Sequence, residues 1–237
     1  RLVRVPAQHH RKGSTRPVYL FVGGYPRVVA HDRGPHYAPQ HGQHVSPILG
    51  HIPQVEHTYG YWDQDYGMMN DQGLAIAEST GSARTVGWSK NLPHGHNLFD
   101  ISELTKVALE RCATARCAIR TMGSLAERYG FYSNSSGTPE QPDYEDSGEI
   151  LTLADTEGEA WVFHILTGEG NMSAVWVAQR VPDDHVAAVA NSFTIRHVDL
   201  SDKDNFMGSK NVKTFAQKMG WWDPKQGAFD FAAAYVV

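Results

Sequence analysis

Along this chain the spacing of apolar residues switches between the two-residue rhythm of strands and the three-to-four rhythm of helices. The run "VYLFVGG" (residues 18–24) is short, apolar and closed by Gly23-Gly24, which predicts a buried strand. Residues 25–53 are crowded with His, Pro and Gly and predict a long loop, of the kind that tends to carry function. "QVEHTYGYW" (54–62) alternates as a strand does, and residues 74–78 are its expected partner. Between them Asn70-Asp71-Gln72-Gly73 predicts a tight turn, since Asn, Asp and Gly tolerate left-handed backbone.

Residues 100–129 carry the clearest helical pattern, with Leu104, Val107, Ala108, Cys112, Ala115, Ile119, Met122 and Leu125 forming an apolar stripe. Asp100 or Ser102 supplies the N-cap, Gly130 the stop, and Thr114-Ala115-Arg116 marks a break between two helices. After a polar, acidic loop (133–148), "EILTLADTEGEAWVFHILTGEGNMSAVWVAQRV" predicts an antiparallel meander turning at Glu157-Gly158 and Gly168-Glu169-Gly170. Residues 186–190 predict another strand, ended by Asn191, and "NVKTFAQKMG" a last helix stopping at Gly220. Sheet, helices, sheet, helix is the order of an α+β fold in layers.

Composition narrows the classes. The 237 residues suffice for one domain over 1–237, and 41% hydrophobic with 20% charged residues is ordinary for a globular chain. A net charge of -5 gives no basic face for nucleic acid, and no apolar run is long enough for a membrane-spanning helix. The chain begins at Arg1 and ends inside the apolar "FDFAAAYVV" without a cap, so the sequence reads as a fragment cut at both ends. Cys112 and Cys117, five apart, point in different directions on a helix and are expected to be two partly buried thiols without a disulfide framework. Asn134-Ser135-Ser136 and Asn171-Met172-Ser173 are glycosylation sequons, which lean toward a secretory route.

Familiar catalytic motifs are missing. His9-His10, His41-x-x-His44 and His94-x-His96 have no carboxylate or cysteine at a telling spacing, so they read as loop histidines rather than metal ligands. No G-x-S-x-G elbow or phosphate-binding glycine loop is present. Polar groups remain at strand ends: Asn70, Glu78-Ser79-Thr80 and Asn191. Such groups either cap ordinary turns or line a pocket, where amides and hydroxyls can donate to an oxyanion.

The blocks "YGMMNDQGLAIAEST", "ELTKVALERCATARCAI", "EAWVFHIL", "AQRVPDDHVAAVANSFTIRHVDL" and "MGWWDP" occur in an order that resembles the cysteine dipeptidases of the N-terminal nucleophile hydrolase superfamily, dipeptidase A type. Secernins and the penicillin and bile-salt amidases are more distant relatives. The resemblance runs from about Val3 to the last residue. It implies an αββα sandwich of two antiparallel sheets between helical layers, and hydrolysis of dipeptides by an N-terminal cysteine without metal or organic cofactor. It also implies that Asn191 and Thr80 orient substrate or hold the oxyanion, and that Asn70, Glu78 and Ser79 contribute to substrate binding, Asn70 by shaping the turn beneath the site.

Three departures bear on activity. The nucleophile and the charged residues that follow it would lie upstream of Arg1, and a family arginine beyond Val237. Gly81 stands where many relatives carry cysteine. These 237 residues alone are therefore expected to be inactive. Two other readings stay open: a non-enzymatic, secernin-like role in exocytosis or binding, and an amidase acting on acylated amines. The oligomeric state is open as well.

Overall fold

The computed structural model describes residues 2–21, 28–34, 37–39, 42–64, 66–133 and 137–237. Gly23-Gly24, His41 and the Asn134 sequon lie outside the described residues. The main feature is an eight-stranded antiparallel sheet, in spatial order β1-β6-β7-β8-β9-β10-β11-β12. Its strands are β1 (Val3–Val5), β6 (Tyr61–Asp63), β7 (Met69–Asn70), β8 (Ala75–Gly81), β9 (Gly148–Ala154), β10 (Ala160–Thr167), β11 (Ala174–Val181) and β12 (Phe206–Gly208). Two two-stranded sheets pair β2 (Gln8–His9) with β5 (His57–Thr58) and β3 (Thr15–Tyr19) with β4 (Ile48–Pro53). The α+β class expected from the sequence is the class observed.

Strand alternation explains how both faces of the main sheet are covered. Leu151, Leu153, Trp161, Phe163, Ile165 and Trp176 point to one face, where they pack with α1 (Ile101–Arg111) and α2 (Ala115–Tyr129). Ile150, Val162, Leu166, Val175 and Val177 point to the other. There they meet Phe193, Ile195 and two short helices, α3 (Thr214–Lys218) and α4 (Phe231–Tyr235). α2 lies so close to β11 that a Cβ at Gly123 would stand 2.3 Å from the Trp176 ring, so only glycine fits that helical position.

The predicted helical break is present. Asp100 caps α1 by accepting from Glu103 N at 2.9 Å, and Thr114 caps α2 by accepting from Cys117 N at 3.3 Å. Because α1 ends at Arg111 and Cys112 adopts extended backbone (φ -122°, ψ 139°), the two cysteines do not share one helix. The corner brings their Cα atoms to 5.5 Å and joins them in a disulfide, correcting the expectation of two thiols.

Other expectations shift for local reasons. Of the strand predicted over 18–24, Val18 and Tyr19 close β3, which starts earlier and pairs with β4, while residues 22–24 lie outside the described ones. The stretch 54–62 divides into β5 and β6, with Gly60 N donating to Asp71 Oδ2 between them. β7 intervenes between β6 and β8, because the turn at Asn70–Gly73 closes its own hairpin, pairing Met69 with Ala75. Residues 186–190 form no strand: β12 occupies the outer edge of β11, and Val186 is 96% exposed. The predicted C-terminal helix shortens to α3, and α4 is an addition, capped by Asp230 accepting from Ala233 N at 2.9 Å.

The buried stripe of α1 also carries charge, which its apolar spacing did not reveal. Glu103, buried, takes Arg33 Nη2 on both oxygens (2.6 and 2.7 Å) and Arg16 Nη1 at 2.8 Å. Glu110 holds the same Arg16 through two bonds of 2.6 and 2.8 Å. Lys106 Nζ donates to Ser102 Oγ at 2.6 Å and lies 3.7 Å from Asp63. The two arginines hold the Glu103 carboxyl down at about 2 despite the opposing effect of burial.

Candidate functional site

The polar end of β8 is where the sequence-predicted residues meet. β8 pairs with β9 along its whole length, Ala75 opposite Ala154 and Gly81 opposite Gly148. Alternation sends Glu78 and Thr80 to the face that Ile76 shares with α1 and α2, and Ser79 to the opposite face.

Asn191 is joined to this strand end across 112 residues of sequence. Its backbone N donates to Ser79 Oγ at 3.2 Å, and its Nδ2 donates to the Thr80 carbonyl oxygen at 2.8 Å. Its backbone is left-handed (φ 52°), a conformation asparagine tolerates better than most residues. The side chain is exposed, and an amide Nδ2 carries two hydrogens, so one N–H is left over for a ligand. Phe193 anchors this segment from below. It stacks on His164 at 4.9 Å between ring centres and also contacts Phe231. Gly148 makes room for that ring, since a Cβ there would stand 2.7 Å from Phe193 Cζ.

Thr80 uses its single hydroxyl hydrogen on Glu78 Oε1 at 2.7 Å, so in this arrangement it orients Glu78 and has no second donor. Across the ladder from Thr80 stands Glu149, 1% exposed. Burial first, then the contact with and charge of Glu78, raise its pKa well above the ordinary range. Asp100 is itself pushed up to about 7 by burial, and its Oδ2 has no hydrogen-bond partner.

Asn70 is buried, and its hydrogen-bonding capacity is occupied. Nδ2 donates to the carbonyl oxygens of Leu109 and Cys112 at 3.0 and 2.7 Å, while Oδ1 accepts from Gln72 N and Leu74 N. It ties the β7–β8 turn to the end of α1 and offers no free group to a substrate. The second sequon residue, Asn171, is similarly embedded: Oδ1 accepts from Trp88 N and Asn97 Nδ2, and Nδ2 donates to His94 O. Among the described residues no group of three or more His, Cys, Asp or Glu is placed to hold a metal ion, and no helix is long and apolar enough to cross a membrane.

Sequence reasoning missed Glu149, Asp100 as a neighbour of the site, and His164. The available signal was a charged or titratable residue inside an otherwise apolar strand, as in "GEILTLA" and "WVFHILT".

Residues 47–237 match the model of peptidase family C69. The chain is 27% identical over 197 residues to the probable dipeptidase B of Streptococcus pyogenes serotype M1, covering 83% of this chain and 34% of that protein. It is 39% identical over 132 residues to a probable dipeptidase of Salmonella dublin, covering 56% of this chain and 26% of that protein. Identity to a probable dipeptidase of Latilactobacillus sakei is 32% over 190 residues, 74% of this chain and 35% of that protein. The chain thus spans a quarter to about a third of the length of these relatives.

Proposed function

Since this chain belongs to peptidase family C69, we propose that it serves a cysteine-type dipeptidase whose N-terminal nucleophile lies upstream of Arg1. The chemistry needs a thiol, a base, and donors for the oxyanion. A free α-amino group, with a pKa near 8, is a suitable base for the thiol of the same residue. The thiolate attacks the peptide carbonyl carbon, the amine leaves, and water hydrolyses the resulting thioester. During both steps negative charge collects on the carbonyl oxygen.

Asn191 is the donor for that oxygen, and the observation that carries this role is its placement. Two hydrogen bonds fix it to Ser79 and Thr80, while one exposed N–H remains unused. Thr80 orients the neighbouring carboxylate of Glu78. Asn70 belongs to the supporting turn.

In the full-length protein, Asn191→Ala is expected to lower kcat by about 100-fold to 1000-fold, the usual effect of removing one oxyanion donor. Its stability is expected to change by only about 1 kcal/mol, since an exposed side chain is lost. Dipeptide hydrolysis at an unaltered kcat would refute the assignment.

A further inference from the structure

On the face of the main sheet that carries Asn191, a cleft of about 270 Å³ opens between the ends of β10 and β11 and the chain that follows them. Val162 and Ile195, both buried, and Val181 line its inner side, while the exposed Val186, Ala187 and Ala188 line its outer side. Of the charged residues along it, Arg180 is held by Asp183 and Glu159, and His185 by Asp184, which leaves apolar groups to set its preference. The backbone of the outer side is open as well. Residues 186–190 run without helix, turn or bend, and no hydrogen bond joins their N–H or C=O groups to another described residue.

The strand registers place this cleft relative to Asn191. Ser79, whose Oγ accepts from Asn191 N, stands opposite Ile150, and Ile150 stands opposite His164. Val162 lies two residues from His164 and points to the same face as Ile150. Two strand spacings of about 4.8 Å and two residues of about 3.3 Å put Val162 about 12 Å from Ser79. Ala188 and Thr194, three residues before and after Asn191, both line the cleft.

We infer that the cleft is the subsite for an apolar side chain on the C-terminal residue of the substrate, whose main chain lies along residues 186–190. The inference rests on the dipeptidase reading, and it adds which kind of residue is selected. With the scissile carbonyl oxygen about 3 Å from Asn191 Nδ2, about 4 Å of bonds lead to the next Cα, and a leucine side chain adds about 4 Å. The sum, about 11 Å, carries the side chain to the cleft. A volume of about nine waters suits the side chain of one residue, and it lies below the roughly 300 Å³ at which pockets for drug-sized ligands begin. The unpaired N–H groups of 186–190 are donors for the terminal carboxylate, as in other sites that capture a chain end by backbone.

The test is calorimetric titration of the full-length protein with uncleavable isosteres of Ala-Leu and Ala-Gly, in which CH2 replaces the peptide carbonyl. The leucine probe is expected to bind about 10-fold or more tightly than the glycine probe. Ala188 is exposed, so Ala188→Leu leaves the core untouched and fills the cleft from its outer side. That variant should bring the leucine probe down to the affinity of the glycine probe, whose own binding stays unchanged. Equal binding of the two probes to the wild type, binding of neither, or a preference that survives Ala188→Leu would overturn the inference. So would an equal loss of both probes in the variant. Hydrolysis of Ala-Leu and Ala-Gly is assayed separately. Cleavage without leucine preference would sink this inference alone, whereas leucine preference in binding without cleavage would sink the dipeptidase reading alone.

Discussion

His164 makes the stability of the site depend on pH. It sits on β10, fully buried, stacked on Phe193 and tilted against Phe231, with Nδ1 unpartnered and Nε2 3.4 Å from Thr194. Burial pushes its pKa from the ordinary 6.5 down to about 3. Between those values the unfolded chain binds a proton that the folded chain refuses, so stability falls as pH drops below 6.5. At pH 5 the folded state is expected to have lost about 2 kcal/mol from this group alone, at about 1.4 kcal/mol for each pH step below 6.5. Asp100 acts oppositely, since its raised pKa makes the folded state the better proton binder between 3.8 and about 7. The comparison must therefore be differential. His164→Phe keeps an aromatic ring in the stack and removes the titration, and any overpacking cost is the same at every pH. Urea unfolding of both proteins from pH 7.5 to 5 should show the wild type losing about 2 kcal/mol more than the variant. Parallel curves would mean that His164 is not the proton-linked group.

Glu103→Gln removes the carboxylate shared by Arg16 and Arg33. The gap between 4.5 and about 2 in its titration corresponds to about 3 kcal/mol. That stabilisation is present above pH 4.5 and is lost as pH falls toward 2, so urea unfolding should separate wild type and variant at pH 7 far more than at pH 2. A difference below about 1 kcal/mol at pH 7 would argue against the buried network. Cys112→Ser opens the disulfide between residues separated by five positions, and is expected to cost about 2 kcal/mol by the loop-entropy relation. Dithiothreitol should lower the midpoint of thermal unfolding of the wild type but leave that of the variant unchanged.

Much of the local structure was written in the sequence, because it depends on neighbours a few residues apart. The meander of β9, β10 and β11 follows from two-residue alternation broken by turns at Gly158 and Gly168. The division between α1 and α2 follows from Thr114, whose side chain competes for backbone donors. The stretch Glu78-Ser79-Thr80 was visible as polar residues ending an apolar strand, and Asn191 was visible through resemblance to a family.

Long-range pairing lay beyond that local reading. Residues 186–190 have the composition of a strand, but a strand needs an edge, and β12 already occupies that of β11. The cysteines looked misaligned on an imagined single helix, and the corner at Cys112 brings them together. Glu149 was not singled out in the sequence, and only the β8–β9 register sets it opposite Thr80. Sequence decides which groups are available and which local shapes they prefer. Register and burial decide which of them share a low-dielectric neighbourhood, and that is why the carboxyl cluster and the buried His164 belong to the tertiary structure alone.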